Sequence, residues 1–179
     1  MKVKVRKTTK VLYSSSELLA QACFEDYKNE LESYNKIYEK VNITLAFCGL
    51  VLLVILEKFD LSYITRMVAA ETYISLLSEF FPFLLSLTSS LFIAGATIQL
   101  LMLMRSSKIV IFDSLYIRND KIYSYLPDRA ALWLIRSYTD SIANLRETTS
   151  EKQRKYDKAV TKIVISILFH AVYLAIYKG

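Results

Sequence analysis

Between Glu79 and Arg105 the chain runs for 25 residues without a charge, FFPFLLSLTSSLFIAGATIQLLMLM (80–104). A bilayer core of about 30 Å needs about 20 helical residues at roughly 1.5 Å each, so this segment is long enough to cross one. In hydrocarbon every backbone polar group must be satisfied internally, which leaves a lone apolar segment only the helix. Two shorter uncharged runs flank it in sequence: Val41–Leu56 between Lys40 and Glu57, and Ile163–Tyr177 between Lys162 and Lys178. Short segments span when their flanking residues snorkel or the bilayer thins. We expect 41–56 to span as well, and leave 163–177 between spanning and packing inside an assembly.

The distribution of Lys and Arg sets an expected orientation. Eight fall in residues 1–40 and twelve in 105–162, whereas 57–79 holds only Lys58 and Arg66 against Glu57, Asp60, Glu71 and Glu79. Basic loops stay on the cytoplasmic side, so the N-terminus and the 105–162 region are expected inside and 57–79 outside. Much of the formal charge of +6 is then topological information. The start MKVKVRKTTK carries five basic residues and no acid, suited to lipid headgroups or to RNA phosphates. No apolar run follows it closely, so a cleaved signal peptide is not expected.

Outside the apolar runs the pattern is helical. Ser14-Ser15-Ser16-Glu17 offers a capping box, and apolar residues then recur at Ala20, Phe24, Tyr27, Leu31, Tyr34, Tyr38 and Val41. A second seam runs through Ile135, Tyr138, Ile142, Leu145, Thr149, Tyr156, Val160 and Ile163. Shifted by 122 residues, YNKIYEKVNITLAF (34–47) aligns with YDKAVTKIVISILF (156–169), which suggests a duplication. We expect Ile135, Tyr138, Ile142 and Leu145 to form an interface between copies in a homo-oligomer, because so small a chain has little else to bury them. Lys108–Asp128, KIVIFDSLYIRNDKIYSYLPD, is rich in β-branched and aromatic residues around an Arg-Asn-Asp turn signal, and predicts a small β-hairpin. Asp128 is expected to cap the helix beginning near Arg129.

The expected fold is therefore an all-α integral membrane protein with long cytoplasmic helices running into the membrane, two to three membrane segments and one small β-hairpin. Its parts are 1–40, a basic start and amphipathic helix; 41–104, a membrane hairpin; 105–162, a hairpin and long helix; and 163–179, an apolar C-terminal helix.

Little in the sequence resembles catalytic chemistry. With Gly49, Gly95 and Gly179 as the only glycines no phosphate-cradling loop forms, and with one histidine and cysteines only at 23 and 48 no metal or cofactor site is expected. Both cysteines are expected to be packing residues. The carboxylate pairs Glu25/Asp26 and Glu30/Glu32 sit beside lysines on solvated faces. Lys162, Ser166, His170, Tyr173 and Tyr177 step by four, four, three and four, gathering the polar groups of the last apolar segment on one stripe. Such a stripe faces either a partner helix or water. Ser166, His170, Tyr173 and Tyr177 are thus candidates for a pore lining or for an intramembrane contact. Ser90, Ala94 and Gly95 make a small-residue face for close helix approach. Asn42 and Gln99 read as interhelical hydrogen-bond partners.

The cytoplasmic helix, the membrane hairpin, the segment DSLYIRNDKIYSYL (113–126) and the long last helix together resemble the Csx-type small membrane accessory proteins encoded beside RNA-targeting type VI CRISPR nucleases. The resemblance implies an oligomeric membrane pore, or membrane-depolarising accessory, that enhances RNA-guided antiphage defence from the bacterial inner membrane. It also implies a divergent HEPN-like cytoplasmic part, with the nuclease or its RNA products as partners beside the lipid bilayer. Arg118-Asn119 looks like the start of the Arg-Asn-x(3)-His ribonuclease variant, but Tyr123 stands where His would. The ordinary Arg-x(4 to 6)-His form is also absent, since the nearest Arg before His170 is Arg154, sixteen residues away. No catalytic residue is carried over, and the expectation is a protein that is not an enzyme. Two alternatives stay open: a membrane-tethered sensor or adaptor that binds a nucleotide signal or a nuclease, and a membrane-anchored ribonuclease using His170.

Overall fold

The computed structural model describes residues 15–105, 122 and 125–177, without the side chain of Tyr177. Four helices account for nearly all of them: α1 (Ser16–Glu57), α2 (Ser62–Val68), α3 (Tyr73–Met104) and α4 (Pro127–Tyr177). Three of these, α1, α3 and α4, are long and apolar enough to cross a membrane. The segment 163–177 thus belongs to a third helix of spanning length rather than to a short appendage.

The expected β-hairpin drops out of the fold class. The described residues contain no strand, and the fold they make is all-α. Residues 108–121, 123 and 124 of the expected hairpin lie outside the described residues. Its far end is helical instead: Ile122 sits in a 3₁₀ turn whose carbonyl accepts the Tyr125 N–H at 2.9 Å. α4 then starts two residues before Arg129, at Pro127. Proline suits a first helical position because its missing N–H would have had no helical partner there. The Leu126 carbonyl accepts the first such bond, from Ala130 at 2.9 Å. Asp128 lies inside the first turn, buried, where a negative charge favours the helix dipole. Periodicity of β-branched and aromatic residues misread this far end because a short apolar run does not by itself separate strand from helix.

α1 begins one residue after Ser15, whose carbonyl accepts the Leu19 N–H at 3.0 Å. α3 begins seven residues ahead of its apolar run. Its start is set by a capping box in which Thr72 and Ser75 satisfy each other's N–H groups. Pro82 lies inside α3 and is buried there, so the Ser78 carbonyl lacks its usual helical donor.

The chain divides into two compact units. One unit is Met1–Tyr34 with Lys108–Thr149. Its buried side chains include Tyr27, Tyr34, Ala131, Tyr138, Ile142 and Leu145. Phe24 and Tyr27 of α1 set their rings 5.8 and 5.5 Å from that of Tyr138 on α4. At the surface, Arg146 donates to Glu30 at 2.6 Å, and this carboxylate, with Asp26 nearby, holds the guanidinium pKa above its ordinary value. Burial, with Tyr27 beside it, likewise raises that of the Tyr138 phenol.

The other unit is Asn35–Ser107 with Ser150–Gly179. Its core is one contiguous cluster in which α1 supplies Ile37, Val41, Cys48 and Ile55, α3 supplies Ile93, Ala96, Leu100 and Leu103, and α4 supplies Ala159 and Ile163. Steps of three, four and seven put each set on one stripe of its helix. A smaller cluster joins Tyr63 of α2, Leu85 of α3 and Tyr173 of α4. Outward side chains such as Ile43, Leu50, Leu53, Leu91 and Leu168 are exposed and apolar, as a lipid-facing surface requires.

Candidate functional site

A set of polar side chains of the second unit meets between its long helices. In contact order, Lys152 of α4 donates to the Tyr38 hydroxyl and lies 3.5 Å from the Leu103 carbonyl. Gln99 donates to the Lys155 carbonyl at 2.6 Å and accepts from Lys162 at 2.8 Å. Thr44 and Tyr156 share a hydrogen bond of 2.9 Å. Ser89 and Ser166 donate to each other's backbone carbonyls at 2.9 and 2.8 Å. Last, the Tyr173 hydroxyl donates to the Lys58 carbonyl at 2.9 Å, satisfying a group just past the end of α1.

These contacts fix the directions of the helices. α1 and α4 meet at chain separations of 112, 114 and 115 residues in the pairs Thr44/Tyr156, Tyr38/Lys152 and Lys58/Tyr173, so they run parallel. The repeat shift of 122 exceeds the Thr44/Tyr156 separation of 112 by ten residues, so the two similar segments meet nearly three turns out of step. α3 runs antiparallel to α4, since Leu103, Gln99 and Ser89 meet Lys152, Lys155 and Ser166 in that order.

Register then places two further polar groups opposite one another. Three residues back from Ser89 is Ser86, and four residues on from Ser166 is His170. Both are buried, at 2% and 7% exposure. The Ser86 hydroxyl and both His170 ring nitrogens have no hydrogen-bond partner. His170 also walls an open groove of about 330 Å³ with Phe47, Leu50, Val51, Val54, Ile55 and Ile167, whose surface is wholly apolar. With its nitrogens buried, the ring presents carbon to that groove. The Tyr173 ring lies 5.7 Å from it.

Of the stripe expected from the sequence, the structure brings Ser166, His170 and Tyr173 into the bundle interior. Tyr177 ends α4, and its side chain is outside the described residues. Ser166 and Tyr173 are paired within the chain. Tyr138, Ile142 and Leu145 are buried within a single chain and Ile135 is half-buried, so one copy already covers most of the seam assigned to an oligomer interface. Gln99 is an interhelical partner as expected, whereas Asn42 is exposed.

Within one chain, α3 packs through a different face from Ser90, Ala94 and Gly95. Ser90 bonds back to the Ser86 carbonyl of its own helix, and a Cβ at Gly95 would meet nothing within 4 Å. The face in use is Ser86, Ser89, Ile93, Ala96, Leu100 and Leu103. Its three-and-four spacing was available in the sequence, but the flanking serines, threonine and glycine offered a second stripe of equal quality. Cys48 is buried and Cys23 half-buried, both as free thiols. Among the described residues no group of His, Cys, Asp and Glu is placed to hold a metal.

Comparison with protein-family models, with curated proteins and with solved structures finds no match to this chain.

Proposed function

We propose that this chain is a membrane-depolarising module that works as a homo-oligomer in the bacterial inner membrane, with its N-terminus and the 105–162 region in the cytoplasm. The observation that carries the reading is the buried Ser86/His170 pair, hydrogen-bonding groups left without partners inside helices of spanning length. Leaving such groups unsatisfied in hydrocarbon is costly, so they persist where a path or a partner uses them. The resemblance to type VI CRISPR accessory proteins supplies the setting, an enhancer of RNA-guided antiphage defence whose partners are the nuclease or its RNA products. A non-enzymatic role fits His170, since a ring buried among apolar span residues is not presented to an RNA phosphate.

The test is expression in a bacterial host with a potential-sensitive dye. Depolarisation that follows the protein level supports the reading, and an unchanged potential at full membrane insertion rejects it. Impermeant thiol labelling in a Cys23- and Cys48-free background should modify Ser62→Cys from outside and spare Asp140→Cys. The reverse pattern overturns the orientation.

The sensor or adaptor reading is favoured by one observation, a compact unit of residues 1–34 and 108–149 with its own buried aromatic core. Ligand-dependent assembly without ion flux would select it.

A further inference from the structure

Polar contacts of the second unit run along the last apolar segment of α4. From Lys162, at the edge of the apolar segment 163–177, to Tyr173 on α4 is 11 residues, about 16 Å of helix at roughly 1.5 Å each, most of the length of that segment. Along that length the contacts are Gln99/Lys162, Ser89/Ser166 and Tyr173 with the Lys58 carbonyl, and the unpartnered Ser86 and His170 fall between the last two. The middle of the column is tight. Ser89, Ser166 and Tyr173 have no exposed surface, and Ile93 and Ala96 close the same seam. A hydrated ion does not fit between side chains packed in this way.

We infer that the species carried through this bundle is the proton, relayed by the Ser86/His170 pair. The inference rests on the depolarising reading and names what would move. From Lys162 to Tyr173 the polar groups of α4 (162, 166, 170, 173) stand about one helical turn apart, near 5.4 Å, which two hydrogen bonds of about 2.7 Å span through a single water. Hydroxyls and water pass protons along such a chain without net displacement of heavy atoms. Imidazole is the one group in the column that takes a proton on one nitrogen and releases another from the opposite nitrogen. In that step neutral His170 gains an N–H bond from the donor side, becomes imidazolium, and loses the N–H on its far side. A ring flip, or return of the shifted proton pattern along the chain, restores the first tautomer. No bond to carbon changes and no electron is transferred. The groups beside the ring are apolar on α1 (Phe47, Leu50, Val51, Val54, Ile55), with Ile167 and Tyr173 on α4, so no fixed charge among these holds the proton in place.

The experiment uses the purified full chain in liposomes containing pyranine, with potassium and valinomycin setting the driving potential and potassium release followed separately without valinomycin. Wild-type protein should admit protons and retain potassium. His170→Gln keeps hydrogen-bonding capacity but does not titrate, and should slow proton entry about a hundredfold, the low end for loss of a positioned proton-transfer group. Ser86→Ala should slow it in the same direction, Ile98→Leu on the exposed face should leave it unchanged, and D₂O should slow the wild type. Circular dichroism and detergent mass confirm that each variant is folded. Proton entry unaltered in folded His170→Gln, or potassium released together with protons, overturns the relay while leaving a depolarising pore. Liposomes that stay tight to both ions overturn the depolarising reading itself.

Discussion

Ser89 and Ser166 lock α3 to α4 by mutual donation, each hydroxyl bonding the other's backbone carbonyl at 2.9 and 2.8 Å, with the two oxygens 3.2 Å apart. The carbonyls also take part in their own helices, so each serine supplies the donor that the contact needs. In lipid the hydrophobic effect no longer drives helices together, and packing with small residues and hydrogen bonds takes its place. A serine is small enough to bring the backbones close and polar enough to hold them. Ser89→Ala or Ser166→Ala should each cost about 0.6 kcal/mol, up to about 1.7, as measured for interhelical bonds in membranes. A double-mutant cycle in detergent unfolding should give a favourable coupling, and strictly additive losses would show the two bonds acting independently.

Tyr173→Phe keeps the ring in the cluster with Tyr63 and Leu85 and removes only the hydroxyl that serves the Lys58 carbonyl. The expected loss is about 0.5–1.5 kcal/mol. It should appear as faster amide exchange at Phe59 and in α2, with α3 and the middle of α4 little changed. Uniform protection in the variant would mean that the bond does not anchor the turn.

Asp60 organises the start of α2. Its carboxylate accepts from the Ser62 N–H at 2.8 Å and the Ser62 hydroxyl at 2.7 Å, and it meets Arg66 at 2.6 Å. The Ser62 hydroxyl and N–H, then Arg66, hold its pKa below the ordinary carboxylate value. Because the folded pKa is the lower one, this stabilisation is present above the unfolded value of about 3.9 and disappears as pH falls through the folded value. Amide exchange at Ser62, corrected for intrinsic rate, should rise on acidification below that range in wild type and be high at all pH in Asp60→Ala. A pH-independent wild-type profile would remove Asp60 from this role.

Leu145 is fully buried within one chain, so Leu145→Ala should cost about 2–5 kcal/mol whatever the protein concentration. Fluorescence of Trp133, the sole tryptophan, reports on the same unit. A loss that shrinks as concentration rises would return this seam to the contact between copies.

Gly95→Ala adds a methyl where nothing lies within 4 Å and removes the helix penalty of glycine, about 0.5–1 kcal/mol. The fold should be unchanged or firmer. If instead the assembled particle falls to smaller species, Gly95 is where another copy approaches.

Several features of this protein were decided by the sequence alone. The three apolar runs, the helical seams that enter two of them and the gathering of Ser166, His170 and Tyr173 on one stripe follow from charge spacing and the 3.6-residue period, which are local properties. The same local signals misjudged the described end of 108–128, Ile122 and Tyr125–Asp128, where β-branched and aromatic residues are compatible with strand or helix until a partner is present. Which stripe of α3 is used, Ser86/Ser89/Ala96 rather than Ser90/Ala94/Gly95, was decided only by tertiary packing, since both satisfy the same spacing. So was the partner of each seam: Tyr138 and Leu145 find theirs in the chain itself, through a parallel pairing of α1 and α4. Pairing of Ser166 depends on the register of α3 against α4, and pairing of Tyr173 on that of α1 against α4, which no single helix carries in its own sequence.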